Sequence, residues 1–166
     1  MAEVRAIEAF RCLINGLPFM AEVEGYTPPE VKKKMEETRG GRFVVNKIMT
    51  GLEAMEGQLT LIGATDEMLL SFGVEVDSYS EITVLASSLD QQKNKIPLRW
   101  EHTCEVTNIK SETIKGGLYK HTIDFTCRAF KHMDNGKIIH DIDEPTMKAV
   151  IFGKDHMEKH RANLEM

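Results

Sequence analysis

The sequence predicts a mainly β fold: an antiparallel β-sandwich or barrel with one packed short α-helix midway and a short C-terminal helix. Three observations predict it. Long stretches alternate apolar and polar residues with period two, as strands do when one face is buried and the other wet. Turn residues at Asn15-Gly16, Gly116-Gly117 and Asp134-Asn135-Gly136 separate these stretches. Helix signals are confined to two short segments. Counted along the chain, the strands number roughly seven or eight, as in a sandwich.

The bulk properties agree with a folded chain. The 166 residues are 42% hydrophobic and 28% charged, which is ordinary for a globular protein, and suffice for one domain with a real core. That domain is expected to span residues 1–166, ordered from about Ile7 to Leu164. No apolar run is long enough to span a bilayer, so no membrane partner is expected. The opening MAEVRAIEAF has no apolar stretch of secretory type and carries Glu3 and Glu8. Cys12, Cys104 and Cys127 are odd in number and far apart, which speaks against a disulfide framework and for a reducing compartment. A net charge of −5 opposes general affinity for nucleic acid.

Taken in order, Phe10, Cys12 and Ile14 form the apolar face of an opening strand. Val4, Ile7, Phe10 and Ile14 also have helical spacing. The Asn15-Gly16 turn that follows decides for a hairpin, because both its positions need positive φ. Pro28-Pro29 marks a strand entry or an edge. Glu30 to Thr38 is charged, with Val31 and Met35 its only strongly apolar members, and Arg39-Gly40-Gly41-Arg42 reads as a loop. Leu52 to Ile62 reads as a strand, with Leu59 and Leu61 on one face and Gln58, Thr60 and Ile62 on the other.

Thr65 to Gly73 reads as the first helix. Thr65 is its N-cap, Asp66 and Glu67 suit the positive end of the dipole, and Gly73 allows a left-handed exit. Met68, Leu69 and Phe72 form its apolar stripe. Ile82, Val84 and Ala86 mark the next strand. Trp100, His102, Cys104 and Val106 line one face of a long strand, with Glu101, Thr103, Glu105 and Thr107 on the other. Ile123, Phe125 and Cys127 alternate with Thr122, Asp124 and Thr126 in a second long strand. Asp155 is expected to cap a last helix running through Asn163.

Motifs of catalysis are missing from the sequence: no phosphate loop, nucleophile elbow, HExxH or CxxC. His102, Cys104, His121 and Cys127 could be imagined around zinc, but they share a buried face with Trp100 and Phe125, where free cysteine is common. His156 and His160 lie one helical turn apart among Glu158, Lys159 and Arg161, as on a solvated face. Glu101, Glu105 and Asp124 alternate with threonines, whereas a working acid/base pair needs apolar surroundings. No catalytic residue, metal or cofactor is expected. The run Lys32-Lys33-Lys34 is neutralised by Glu30, Glu36 and Glu37.

The order of features resembles the major tail tube proteins of contractile phages, a family shared with R-type pyocins. The resemblance runs from about Ile7 to Leu164. It is carried by the opening hairpin, by Tyr26 to Glu36 followed by Arg39-Gly40-Gly41, and by Gly51-Leu52-Glu53-Ala54-Met55-Glu56. Gly63-Ala64, the helix ending Phe72-Gly73, Asp134-Asn135-Gly136-Lys137, Ile142-Asp143 and Gly153-x-Asp155 to His160-Arg161-x-Asn163 follow in the same order. Thr38 departs from the tyrosine usual in the family, and the chain ends Leu164-Glu165-Met166 rather than Gly-Leu.

The resemblance implies a structural subunit whose homo-hexameric rings stack into a hollow tube, inside a virion tail assembled in the host cytoplasm. It implies a sheath protein outside, a tape-measure protein in the lumen, and baseplate and tail terminator proteins at the ends. DNA would pass without tight binding. Glu53, Glu56, Glu101, Glu105 and Asp124 are the lumen-lining candidates on this reading. Thr38, Arg39, Gly40, Gly41, Arg42 and Asn46 are the inter-ring loop candidates, and Asp66 and Glu67 the sheath-facing ones. Other readings are a type VI secretion-like tube protein, a small metal-dependent or acid/base enzyme, and a monomeric β-sandwich binding module.

Overall fold

A computed structural model describes residues 3–19, 23–63, 66–71, 73–75, 77–112 and 116–166. The expected opening hairpin forms: β1 (Ala6–Ile14) and β2 (Leu17–Phe19) join through Asn15 and Gly16, both at positive φ. Cys12 and Ile14 are fully buried, as the alternation requires. Next come β3 (Val23–Thr27), β4 (Lys33–Thr38), β5 (Asn46–Leu52) and β6 (Met55–Ile62). The short helix α1 (Asp66–Ser71) precedes β7 (Tyr79–Leu89), β8 (Lys95–Ser111) and β9 (Lys120–Asp134). The chain closes with β10 (Lys137–Asp143), β11 (Lys148–Ile151), β12 (Lys154–Asp155) and α2 (Glu158–Asn163). The described residues thus hold twelve strands, more than the seven or eight expected. Four of the strands, β2, β3, β11 and β12, have five residues or fewer, too few for a period to register in the sequence.

Ten strands make one sheet, ordered β12-β11-β10-β9-β8-β7-β1-β2, and every pairing is antiparallel. It forks at β9, whose first half (Lys120–Cys127) pairs with β6 and whose second half (Ala129–Asp134) pairs with β10. β3 pairs outside β6. Two irregularities along β8 and β9, at Thr103/Cys104 and Val106/Asn108, bend the longest ladder. The sheet curls, so that Tyr26 of β3 lies over Trp100 of β8, with ring centroids 5.6 Å apart.

Between the curled layers sits the core of Leu59, Leu61, Ile82, Val84, Cys104, Val106, Ile123 and Phe125. Gly57 is part of this packing. A Cβ there would fall 2.6 Å from the Phe125 ring and 3.3 Å from Pro29, so the close approach of β6 to Phe125 needs glycine.

Helix α1 closes as expected. Leu69 is buried, Gly73 takes φ 74°, and the Gly73 and Val74 amides donate to Leu70 and Leu69 carbonyls. Thr65, Phe72 and the Met68 side chain lie outside the described residues. Two expectations change. The strand read from Leu52 to Ile62 breaks at Glu53-Ala54, where the Glu53 amide turns back to donate to the Lys32 carbonyl at 2.8 Å. Asp155 is not the N-cap of α2, a place held by Met157 without a side-chain cap. Asp155 instead accepts the Met157 amide at 2.9 Å and pairs with Arg161. The Arg161 guanidinium holds the Asp155 carboxyl below the usual carboxylate range. Helix α2 buries no residue, so this polar clasp, with Arg161 also donating to the Met147 carbonyl, is what ties it down.

Candidate functional site

The loop candidate from Thr38 to Asn46 is the tip of a two-stranded arm. β4 and β5 pair only with each other, in a sheet separate from the main one. Thr38 and Asn46 face each other as the last pair of the ladder. The connection is residues 39–45. Its turn is tied by the Arg42 amide and the Arg39 Nε, which donate to the Arg39 and Arg42 carbonyls. Gly40 takes φ 56°, and Gly41 follows in the turn. Every residue from Lys32 to Thr50 is exposed. At the tip Phe43 is 93% exposed and Val44 72%. Sequence reasoning singled out the residues around Phe43, Val44 and Val45 and missed these three, although an apolar run after Gly-Gly in a charged stretch was a readable signal.

Three of the five lumen candidates come together. Glu56 on β6 and Glu105 on β8 flank Thr126 of β9 in one cross-strand row. Asp124 is in the next row on the same outer face, where Gln58 Nε2 donates to it at 2.9 Å and Asn108 Nδ2 at 3.2 Å. Glu101 lies further along β8 and is partly neutralised, since Arg99 donates to its Oε1 at 2.6 and 2.7 Å. Glu53 stands apart in the β5–β6 link, 3.7 Å from Lys32 at the root of the arm. Glu67 is exposed on α1, and Asp66 begins that helix.

The residues once weighed for zinc are core residues. His102 is 3% exposed. Its Nδ1 is 2.8 Å from the Ile82 carbonyl, and its Nε2 meets the Tyr26 hydroxyl. A neutral ring donating from Nδ1 and accepting at Nε2 satisfies both. Burial lowers its pKa to about 4 and pushes the Cys12 and Cys104 thiols up to about 12. Protonated, buried thiols are poor nucleophiles and poor ligands. His121 lies at the far end of β9, paired with Ser111 of β8. Among the described residues no group of three His, Cys, Asp or Glu is placed to hold a metal ion.

What the geometry offers is surface for assembly: a curled sheet with open edges, an arm whose two strands pair only with each other among the described residues, and a polar outer face. The fold is that of tube-forming proteins. Solved structures with it include an extracellular contractile injection system PVC sheath–tube complex in the extended state, at a TM-score of 0.56 and 11% identity, covering 75% of this chain and 88% of that one. The PVC sheath/tube terminator matches with the same score and identity over 75% and 93%. The tube-terminating cap of the anti-feeding prophage matches at a TM-score of 0.53 and 10% identity over 75% and 87%. No curated protein sequence matches. The model of the family described as phage tail tube protein FII matches residues 4–164, and the chain belongs to that family. It is a structural subunit of a tail tube, not an enzyme.

Proposed function

We propose that the protein builds the inner tube of a contractile phage tail or phage-tail-like particle, as homo-hexameric rings stacked into a hollow tube that passes the genome. The observation that carries this reading is the unpartnered arm. A two-stranded hairpin alone is marginal in water, and this one shows solvent both faces and an apolar tip. It gains a surface to pack on when a neighbouring copy supplies one. A head-to-tail contact that closes gives a ring, one that does not gives a filament, and a tube uses both.

On this reading the arm, with Thr38, Arg39, Gly40, Gly41, Arg42 and Asn46, makes the inter-ring contact. The face carrying Glu56, Glu105 and Asp124, with Glu101 at its end, lines the lumen, and α1 with Asp66 and Glu67 faces the sheath. A tape-measure protein occupies the lumen before DNA does, and assembly takes place in the host cytoplasm. The likeness to tubes solved with a sheath and with a terminator supports sheath and terminator proteins as partners, with a baseplate protein at the other end of the tube. Negative-stain electron microscopy of concentrated protein, alone and with a nucleating baseplate, tests the reading. Hollow tubes of uniform width whose end views average to six-fold rings are expected. Monomers under both conditions, or rings of another order, would overturn it.

A further inference from the structure

We infer that the arm tip of one copy seats in an apolar groove beside the arm root of the next copy. This rests on the proposal that copies of this chain stack head to tail, and names the receiving surface. The groove lies between the root of β5, the β5–β6 link and the β10–β11 turn, with a volume of about 360 Å³. Met49, Met55, Met147 and Met157 line it with Leu52 and Ile142. Methionines are unbranched and reshape around an incoming side chain. The volume is comparable to one aromatic and two branched aliphatic side chains, and Phe43-Val44-Val45 is such a set, held out in solvent.

Charge matches as well. Between Thr38 and Lys47 the arm carries Arg39, Arg42 and Lys47 and no carboxylate, in a chain whose net charge is −5. Glu53, Asp143 and Glu144 rim the groove. Arg128 and Lys148 also line it; Arg128 pairs with Glu144 at 3.3 Å and Lys148 with Asp141 at 2.7 Å, while Glu53 lies 3.7 Å from Lys32. Among the described residues that leaves Asp143 as the rim carboxylate without a cation beside it, so a cationic tip meets a rim of small net negative charge, which favours and orients their encounter.

The occupant must be another copy. Met49 is the groove's outermost residue on β5, and three residues of straight strand, about 10 Å at about 3.3 Å per residue, carry the chain away from it to Asn46 at the foot of the tip. An arm cannot bend back into its own groove without losing its ladder. The contact is then heterologous, with arm and groove on different parts of the surface. Because the groove wall includes the next arm's root, seating one arm braces the one that follows.

Sedimentation of two variants, alone and mixed, tests the inference. Phe43→Asp spoils the tip and Ala54→Arg, at an exposed wall residue, blocks the groove. Unchanged melting temperatures would show both fold. Each alone should self-associate about tenfold more weakly than the parent, or worse. Mixed in equal amounts, they should associate where neither does alone, and stacking should stop at a single arm-to-groove contact, because one copy then offers only a groove and the other only an arm. A mixture that associates no better than its components overturns the inference. So does an Ala54→Arg protein that assembles like the parent, which would leave the groove to a different partner. Six-fold tubes built by Ala54→Arg would refute the groove and spare the tube. Mixed variants that restore the arm-to-groove contact, from a parent that never makes six-fold rings, would do the reverse.

Discussion

His102 shows at one residue how the core is specified. Phe125 packs edge-on against its ring, Phe130 stacks on it, and the Tyr26 hydroxyl and Ile82 carbonyl take its two nitrogens. Protonation would put a charge there and make Nε2 a donor that can no longer accept from Tyr26. The folded state thus binds the proton only below about pH 4, against 6.5 for the free side chain. Between those values the unfolded chain holds more protons, so stability is full above 6.5 and is lost as pH falls through the window. The difference corresponds to roughly 3 kcal/mol. Urea unfolding should show a loss of that order between about pH 7 and about pH 4. His102→Gln should be less stable at neutral pH and flatter with pH. An equal slope in both proteins would assign the acid sensitivity to other groups. The alternation of Trp100, His102, Cys104 and Val106 placed this histidine inside from sequence alone. Its partner Tyr26, on a strand 76 residues away, was not legible, because no local pattern encodes which layers meet.

At the scale of elements the same rule separates what could be read from what could not. β6 and β9 bury one face, so Leu59, Leu61, Ile123 and Phe125 write a period of two into the sequence. β4 and β5 bury neither face in the single chain, and Lys33-Lys34-Met35-Glu36-Glu37 shows no such period although it is strand. A strand that buries neither face in its own chain leaves a composition without a rhythm, which reads only as a charged stretch. On the proposed function the arm contributes little to the stability of one subunit and much to assembly. Replacing residues 39–45 by a two-residue Asn-Gly turn should move the unfolding free energy by no more than about 0.5 kcal/mol. The shortened protein should fail to form tubes under conditions where the parent does. A large stability loss would show that the tip packs on its own chain, and normal tubes would remove it from the inter-ring contact.

For the whole molecule the question is how, on the proposed function, an acidic chain would serve as a conduit for DNA. Glu56, Glu105 and Asp124 occupy two adjacent rows on the outer face of β6, β9 and β8, interleaved with Thr107, Thr122 and Thr126. Lining a tube, this face would repeat in every subunit of every ring, so three carboxylates per chain become a continuous negative wall. Phosphates passing it find no cation ladder, release no counterions on contact, and slide. Glu101 contributes less, because Arg99 shares its carboxylate and Lys131 stands opposite on β9. Sequence reasoning found Glu101, Glu105 and Asp124 by their alternation with threonine, and named Glu53 and Glu56 together as a second candidate strand, from which the structure separates Glu53. Its place at the arm root depends on the turn at Glu53-Ala54, which Lys32 makes from across the hairpin. The double variant Glu56→Lys/Glu105→Lys should still assemble, since neither side chain has a salt-bridge partner among the described residues. Its tubes should bind duplex DNA with an affinity that falls steeply with salt, the logarithmic slope steepening by about 0.9 for each phosphate contacted. Particles carrying it should release their genome more slowly. Nuclease digestion separates the inside of the wall from the outside: DNA held in the lumen is protected and DNA on the outer wall is cut. Variant tubes that bind no more DNA than the parent, or bind it only where nuclease reaches, would remove this face from the channel. The lumen would then have to be sought on another part of the surface.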